Sequence, residues 1–314
     1  MKIRIDDYID EDVAYFLGLV IGRGTIMETE GLRQVIIQFP YSSLRLEGVS
    51  SSFNQKNAIQ LGLNDIRDRL QELLDTDIKI VKKSGGMDFV IRFMRNNMIW
   101  RNLLLMTEGY TSYPYFKIPP IFFEEDLPSD WKREFMRGFA DVAGNIREAN
   151  RYVDGRHRVR LDVLNYPTNW QFPVQLCTLL QEHLNVPVQL ITWGHPNLNR
   201  KFREHQLNVF AKPFLEIGFS FDHKQKLLEE FAGSDKKNTK YALCPGKRDI
   251  RKHKPSDPDE DNAEKLDPAL VGHHYDAYWQ ICKTLGCIRV PDKGLQMELD
   301  FIDETELEIT ESEE

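Results

Sequence analysis

Two apolar segments, each with glycine inside and a glycine at its end, stand about 120 residues apart and limit what this chain can fold into. Residues 12–26 read DVAYFLGLVIGRGTI, and residues 131–146 read WKREFMRGFADVAGNI. A lone glycine inside a helix costs about 1 kcal/mol relative to alanine. Gly18 and Gly22 in one segment, answered by Gly138 in the other, therefore point to a packing reason, a close approach of two helix backbones. Asp10 and Asp12 suit the N-cap of the first helix, and Ser129 and Asp130 that of the second. Gly24 and Gly144 suit the residue just past each helix, where a left-handed turn is common.

The residues downstream of the two segments also match. After the first, residues 34–39 alternate as a strand, and 58–74 form a helix with Leu61, Ile66, Leu70, Leu73 and Leu74 on its apolar stripe. Residues 77–82 and 87–93 are strands around Gly85-Gly86, and 98–105 is a helix. After the second, 156–164 is a strand, 172–184 a helix, 186–192 and 206–210 strands, and 224–231 a helix. Each half then runs helix, two strands, helix, two strands, helix, with the proline- and aromatic-rich residues 110–127 between the halves. This predicts an α+β protein of two pseudo-symmetric αββαββα repeats, residues 1–118 and 119–232, with an extension at 233–290 and an acidic tail at 291–314.

Composition excludes several classes. With 41% hydrophobic and 29% charged residues in 314, the chain is neither wholly disordered nor a low-complexity scaffold. No apolar run approaches the roughly 18 residues of a membrane helix, and the N-terminal MKIRIDD lacks an apolar signal core. Four cysteines suit a reducing compartment, so the expected location is cytoplasmic, with no membrane partner. Charge is unevenly spread. Residues 291–314 carry ten acids and one lysine, a charge of −9, and 256–290 carry seven acids against three bases. The formal −8 of the whole therefore leaves +5 on residues 1–255, which permits nucleic-acid binding without requiring it.

The two segments resemble the motif helices of single-chain LAGLIDADG homing endonucleases. Residues 16–24 (FLGLVIGRG) are similar to the first copy and 136–144 (MRGFADVAG) to the second, and the flanking elements fit over about residues 1–232. The resemblance implies motif helices packed along a pseudo-twofold axis, with two antiparallel saddle-like sheets lying in successive major grooves of double-stranded DNA. It further implies a carboxylate at the eighth position of each motif, holding divalent metal for phosphodiester hydrolysis. Those positions are Arg23 and Ala143. Neither side chain offers the oxygen that magnesium requires, so no catalytic magnesium is expected. Asp141 lies two residues early, about 200° around the helix. Arg23 has two readings: a cation favoured by a helix C-terminus, or a guanidinium that takes phosphate where the metal is lost.

Bases sit at alternate positions of the expected strands: Arg156, Arg158 and Arg160; Lys79 and Lys83; and Arg92, opposite the apolar set Phe89, Ile91 and Phe93. The arginine triplet is the most pointed set, since a face built for solubility more often mixes signs. An ordinary solvated sheet face is the plainer alternative. Beyond residue 233, Cys244, His253, Cys282 and Cys287 meet the ligand count of a structural zinc site. The five-residue step from Cys282 to Cys287 departs from a standard knuckle, however, and favours unligated thiols. Cys177 reads as a core thiol.

The resemblance without its acids implies a duplex-DNA-binding protein, a regulatory or targeting module with a degenerate catalytic site. Two other readings stay open. One is an active endonuclease or maturase-like protein using other acids, such as a rearranged Asp141, or a partner subunit. The other is a scaffold that binds protein through the aromatic C-terminal extension.

Overall fold

The computed structural model describes residues 9–46, 55–94, 97–147, 157–165, 171–195, 203–234 and 288–290. Helix α1 (Glu11–Arg23) starts where Asp10 accepts a hydrogen bond from the Val13 amide at 2.8 Å. Helix α5 (Ser129–Ala143) lies alongside it. Their contact is backbone on backbone. A Cβ at Gly18 would stand 2.0 Å from the Phe135 carbonyl oxygen, and one at Gly138 would stand 2.2 Å from that of Tyr15. The contact is reciprocal: Gly18 against Phe135 mirrors Gly138 against Tyr15, with both pairs offset by 120 residues. That is the signature of a pseudo-twofold axis between the helices. One turn further on, Val142 fills the notch that Gly22 leaves.

Both helices pass straight into strands, β1 (Gly24–Thr29) and β5 (Gly144–Arg147). The expected left-handed glycine is absent at each junction, because the chain continues extended, with φ of −88° at Gly24 and −93° at Gly144. Glycine is needed there for proximity instead. An added Cβ would lie 2.5 Å from the Val20 carbonyl oxygen at Gly24, and 2.5 Å from that of Ala140 at Gly144. The expected caps of α5 are also corrected. Ser129 is already helical, Pro128 holds the N-cap position, and no side chain caps that end.

The first sheet is antiparallel in the order β1-β2-β4-β3, with β2 (Leu32–Pro40), β3 (Ile78–Lys82) and β4 (Gly86–Arg92). The second has β5 and β6 (Arg158–Asn165), β8 (Arg203–Phe210) and β7 (Val188–His195) in the equivalent order. It gains a fifth strand that the sequence did not suggest: β9 (Ile288–Val290), from the C-terminal extension, runs parallel to β7. Strand alternation sends Ile26, Val35, Ile37, Phe39, Ile78, Phe89 and Ile91 inward in the first sheet. Val159, Leu161, Val163, Leu207 and Val209 do the same in the second, and all join one core.

The remaining helices cover those apolar faces. In the first half they are α2 (Tyr41–Leu44), α3 (Gln55–Leu74) and α4 (Met98–Met106). In the second they are α6 (Gln171–Thr178, continued by a π-helical turn Leu179–His183), α7 (Ala211–Phe214) and α8 (Asp222–Gly233). The expected α+β class and the two αββαββα repeats are thus observed. One stripe residue was misplaced. Leu61 is 63% exposed, since five residues before Ile66 is about 140° around the helix, and Leu63 is the buried one. Leu73 is half-buried. Cys177 is buried in α6. Among the described residues no helix is long and apolar enough to cross a membrane.

The helices are also pinned to each other at their N-terminal ends. Arg69 of α3 donates to Asp12 of α1 at 2.6 Å and to Glu134 of α5 at 3.0 Å, over the Tyr15 ring. The backbone contact is the tighter constraint. Gly138→Val is therefore expected to destabilise the fold by about 3 kcal/mol or more in urea melts, since neither backbone can yield. Gly31→Ala, at a glycine with nothing within 4 Å of the added Cβ, should change stability by less than about 0.5 kcal/mol.

Candidate nucleic-acid interface

Each sheet buries one face under helices and turns the other away from them. In the first sheet, register places Thr25 and Met27, Gln34, Ile36 and Gln38, Asp88, Val90 and Arg92, and Lys79 and Val81 on that second face. Lys79 and Arg92 are exposed and come from neighbouring strands. Lys83 is also exposed, one residue past β3, where its amide donates to the Gly86 carbonyl at 2.9 Å. Asp88 lies on the same face. Burial raises its carboxyl pKa, with the Lys83 charge acting against the rise.

In the second sheet the corresponding face carries Asn145 and Arg147, Arg158, Arg160 and Asp162, and Asn208 and Phe210. Arg158 and Arg160 share it as expected, but the row is not purely positive. Arg160 is paired with the buried Asp162, Nε to Oδ1 at 2.9 Å and Nη2 to Oδ2 at 3.0 Å. Asn145 donates to the same carboxylate at 3.0 Å. The expectation of an unmixed face fails at Arg160, whose charge is largely spent on Asp162. Arg158 lies 5.7 Å from the centre of the Phe210 ring. Arg147, opposite Arg158 in the ladder, escaped the sequence reading. Counting alternate positions on from Asn145 would have found it. Arg156, Cys244, His253, Cys282, Cys287 and the acidic tail lie outside the described residues.

Between the sheets lie the ends of the two motif helices. Arg23 closes α1 and is 7% exposed, and Ala143 closes α5 and is fully buried. The Arg23 guanidinium carbon sits 5.6 Å from the centre of the Tyr113 ring. Its Nε is buried without a hydrogen-bond partner. The end of α5 is closed by other means. Lys224 of α8 donates from Nζ to the carbonyls of Ala140 at 3.4 Å and Gly144 at 3.1 Å, and Ser43 of α2 donates to that of Val142 at 2.9 Å.

Asp141 belongs to this buried cluster and is not displayed at a surface. It accepts from the Tyr15 hydroxyl at 2.8 Å and from the Ser220 amide at 3.2 Å. Burial raises its pKa, opposed by the Lys224 charge. Desolvation pushes Lys224 down to about 8, against the pull of Asp141. Neither Lys224 nor Tyr15 was singled out in the sequence, since both act across long sequence separations. Among the described residues no group of three or more His, Cys, Asp or Glu side chains could hold a metal ion.

Helix ends, strand order and the glycine contacts repeat from one half to the other about a single axis. The fold is LAGLIDADG-like. Among solved structures the chain is similar to the homing endonuclease I-DmoI in complex with DNA and calcium, at 16% identity, covering 78% of this chain and 98% of that one, with a TM-score of 0.35. Mesophilic variants of I-DmoI give 16% identity over 70% of this chain and 97% of that one, with a TM-score of 0.41. Full-length WhiA from Thermatoga maritima gives 12%, 88% and 91%, with a TM-score of 0.40. No family model matches the sequence, and no curated protein does.

The buried lysine makes a testable pH signature. Its folded-state pKa of about 8 lies below the ordinary 10.5, so between those values the unfolded chain holds more of the proton. Stability should therefore rise as pH increases from about 8 toward 10. Tyr15, whose pKa burial raises, reverses the trend only above its ordinary value of 10.0, where the unfolded chain ionises first. Urea melts across pH 7.5–10 should show the rise in the parent chain and a flatter profile in Lys224→Met.

Proposed function

We propose that this chain is a duplex-DNA-binding protein built on a homing-endonuclease-like scaffold, acting as a regulatory or targeting module without cutting DNA. The observation that carries the reading is the pair of antiparallel sheet faces, each turned from the core and each bearing cations beside polar groups. Lys79 and Arg92 stand on one, and Arg147 and Arg158 on the other. The roughly 12 Å major groove admits antiparallel β-strands, and a neighbouring pair of strands from such a sheet can enter it as a ribbon. Arginine, lysine, asparagine and glutamine side chains on such a ribbon suit phosphates and base edges. Residues 1–255 carry a net +5, but the excess falls at 236–254, past the two repeats, which themselves sum to −1. The local cations of the sheet faces, and not the overall charge of the repeats, therefore carry the reading.

The non-cutting part of the proposal rests on the helix ends. Arg23 and Ala143 offer no oxygen ligand there, and the nearby Asp141 is fully buried among Tyr15, Ser220 and Lys224. A magnesium- or manganese-dependent cleavage product from the purified chain, absent from an Arg23→Ala control, would favour the endonuclease reading.

Binding is tested by titrating duplex DNA over a salt series. Lys79→Ala, Arg92→Ala and Arg158→Ala together should reduce the log–log salt slope by up to about 2.7, at about 0.9 per phosphate contact. Arg160 is left in place because its loss would strand the buried Asp162 carboxylate. Equal affinity and slope in parent and triple variant, both still folded by thermal melt, would mean that these cations do not touch DNA, and no duplex binding by the parent would sink the DNA reading. The protein-binding scaffold would then lead.

A further inference from the structure

We infer that Arg23 is an oxyanion site, holding one phosphate at the end of helix α1 between the two sheets. The inference sharpens the DNA-binding proposal, and only the phosphate's owner depends on that proposal.

Four observations lead to it. Arg23 is more than nine-tenths buried, at 7% exposure, and no salt bridge to it occurs among the described residues. Its Nε is sealed from solvent and has no acceptor. The Tyr113 ring at 5.6 Å supplies a flat contact but takes no hydrogen bond along the edge of the guanidinium. Lastly, α1 does not need Arg23 as a cap. At α5 a lysine and a serine donate to the last-turn carbonyls of Ala140 and Val142. The Gly24 amide takes the Val20 carbonyl at α1 just as the Gly144 amide takes that of Ala140 at α5, and no hydrogen bond from Arg23 to a carbonyl is formed among the described residues.

Buried donors in native proteins nearly always find acceptors, and an exception calls for an explanation. A lysine in such a place can shed its proton, but an arginine in a protein cannot. The charge therefore stays and needs an anion. A guanidinium presents donors in a planar fork that fits two phosphate oxygens at once. Its position adds a second reason. The strands β1 and β5 start from the helix ends, so an anion bound there lies between the two faces that carry Lys79, Arg92, Arg147 and Arg158.

The test uses the full chain in thermal melts, with inorganic phosphate against chloride at matched ionic strength. General salting effects are shared by all variants, so the difference between variants is the readout. The parent should gain about 3 °C in phosphate at roughly tenfold excess over its Kd. Arg23→Met should lose that gain, yet melt no lower than the parent in chloride, because a buried unpaired charge has been removed. Arg23→Lys, which keeps charge but lacks the fork, should keep less than half of the gain, and it serves as the reporter if Arg23→Met fails to fold. No phosphate gain in the parent, or a gain that Arg23→Met or Arg23→Lys retains in full, overturns the inference.

A second arm identifies the owner of the phosphate. If DNA supplies it, Arg23→Met lowers the salt slope of duplex binding by about 0.9. If the phosphate gain is real and the slope is unchanged, the anion is a free phosphate. A chain that binds phosphate through Arg23 but binds no DNA would sink the proposed function and leave this inference standing.

Discussion

The structure hangs on a contact in which no side chain takes part. Where α1 crosses α5, the missing Cβ atoms of Gly18 and Gly138 let each helix rest on the other's carbonyls, at Phe135 and Tyr15. A side chain at either position would push the axes apart by more than any rotamer change could absorb. Because each helix runs into a strand without an intervening turn, the separation of the helices also fixes where β1 and β5 begin. The spacing of the two sheets thus follows from two hydrogen atoms. Gly24 and Gly144 extend the same rule to the junctions, where only hydrogen fits against the Val20 and Ala140 carbonyls.

That shared frame makes the differences between halves informative. The 120-residue offset and the strand registers pair Thr25 with Asn145, Met27 with Arg147, Gln34 with Arg158, Ile36 with Arg160 and Gln38 with Asp162. Half one is neutral at all five positions, while half two carries three arginines and an aspartate. The backbone is duplicated and the electrostatics are not. A partner lying across both faces would meet hydrogen-bonding and apolar groups on one side and charges on the other. The first half has its own cations further out, Lys79 and Arg92 on the β4–β3 side of the sheet.

Much of this was legible in the sequence, and the misses share a physical pattern. Periodicity and the repeated glycines were enough for both motif helices, the repeated element order and the inward faces of the strands. Short-range detail was read by rule and failed where tertiary contact overrides the rule. Gly24 looked like a left-handed terminator, because that is what a glycine after a helix most often is. The neighbouring Val20 carbonyl, which no local pattern reveals, decides otherwise. The pairing of Arg160 with Asp162 was in reach, since residues two apart on a strand share a face. Lys224 was out of reach: it closes α5 from 80 residues away, and nothing near residue 224 announces it. β9 is the same case at greater distance, since three residues cannot declare which edge they will join.

Carrying both halves on one chain also permits something a symmetric pair could not. In a homodimer of the first half, a second Arg23 would take the place of Ala143 beside the axis. Two buried guanidinium groups at the two helix ends would repel, on top of the cost of burying each one. Fusion removes the conflict by letting position 143 become alanine while position 23 keeps its charge. The methyl group of Ala143 fits the buried floor, and Lys224 and Ser43 close the end of α5 in its place. The two helix ends of a near-symmetric body are therefore finished differently, by a buried guanidinium at α1 and by a lysine and a serine at α5.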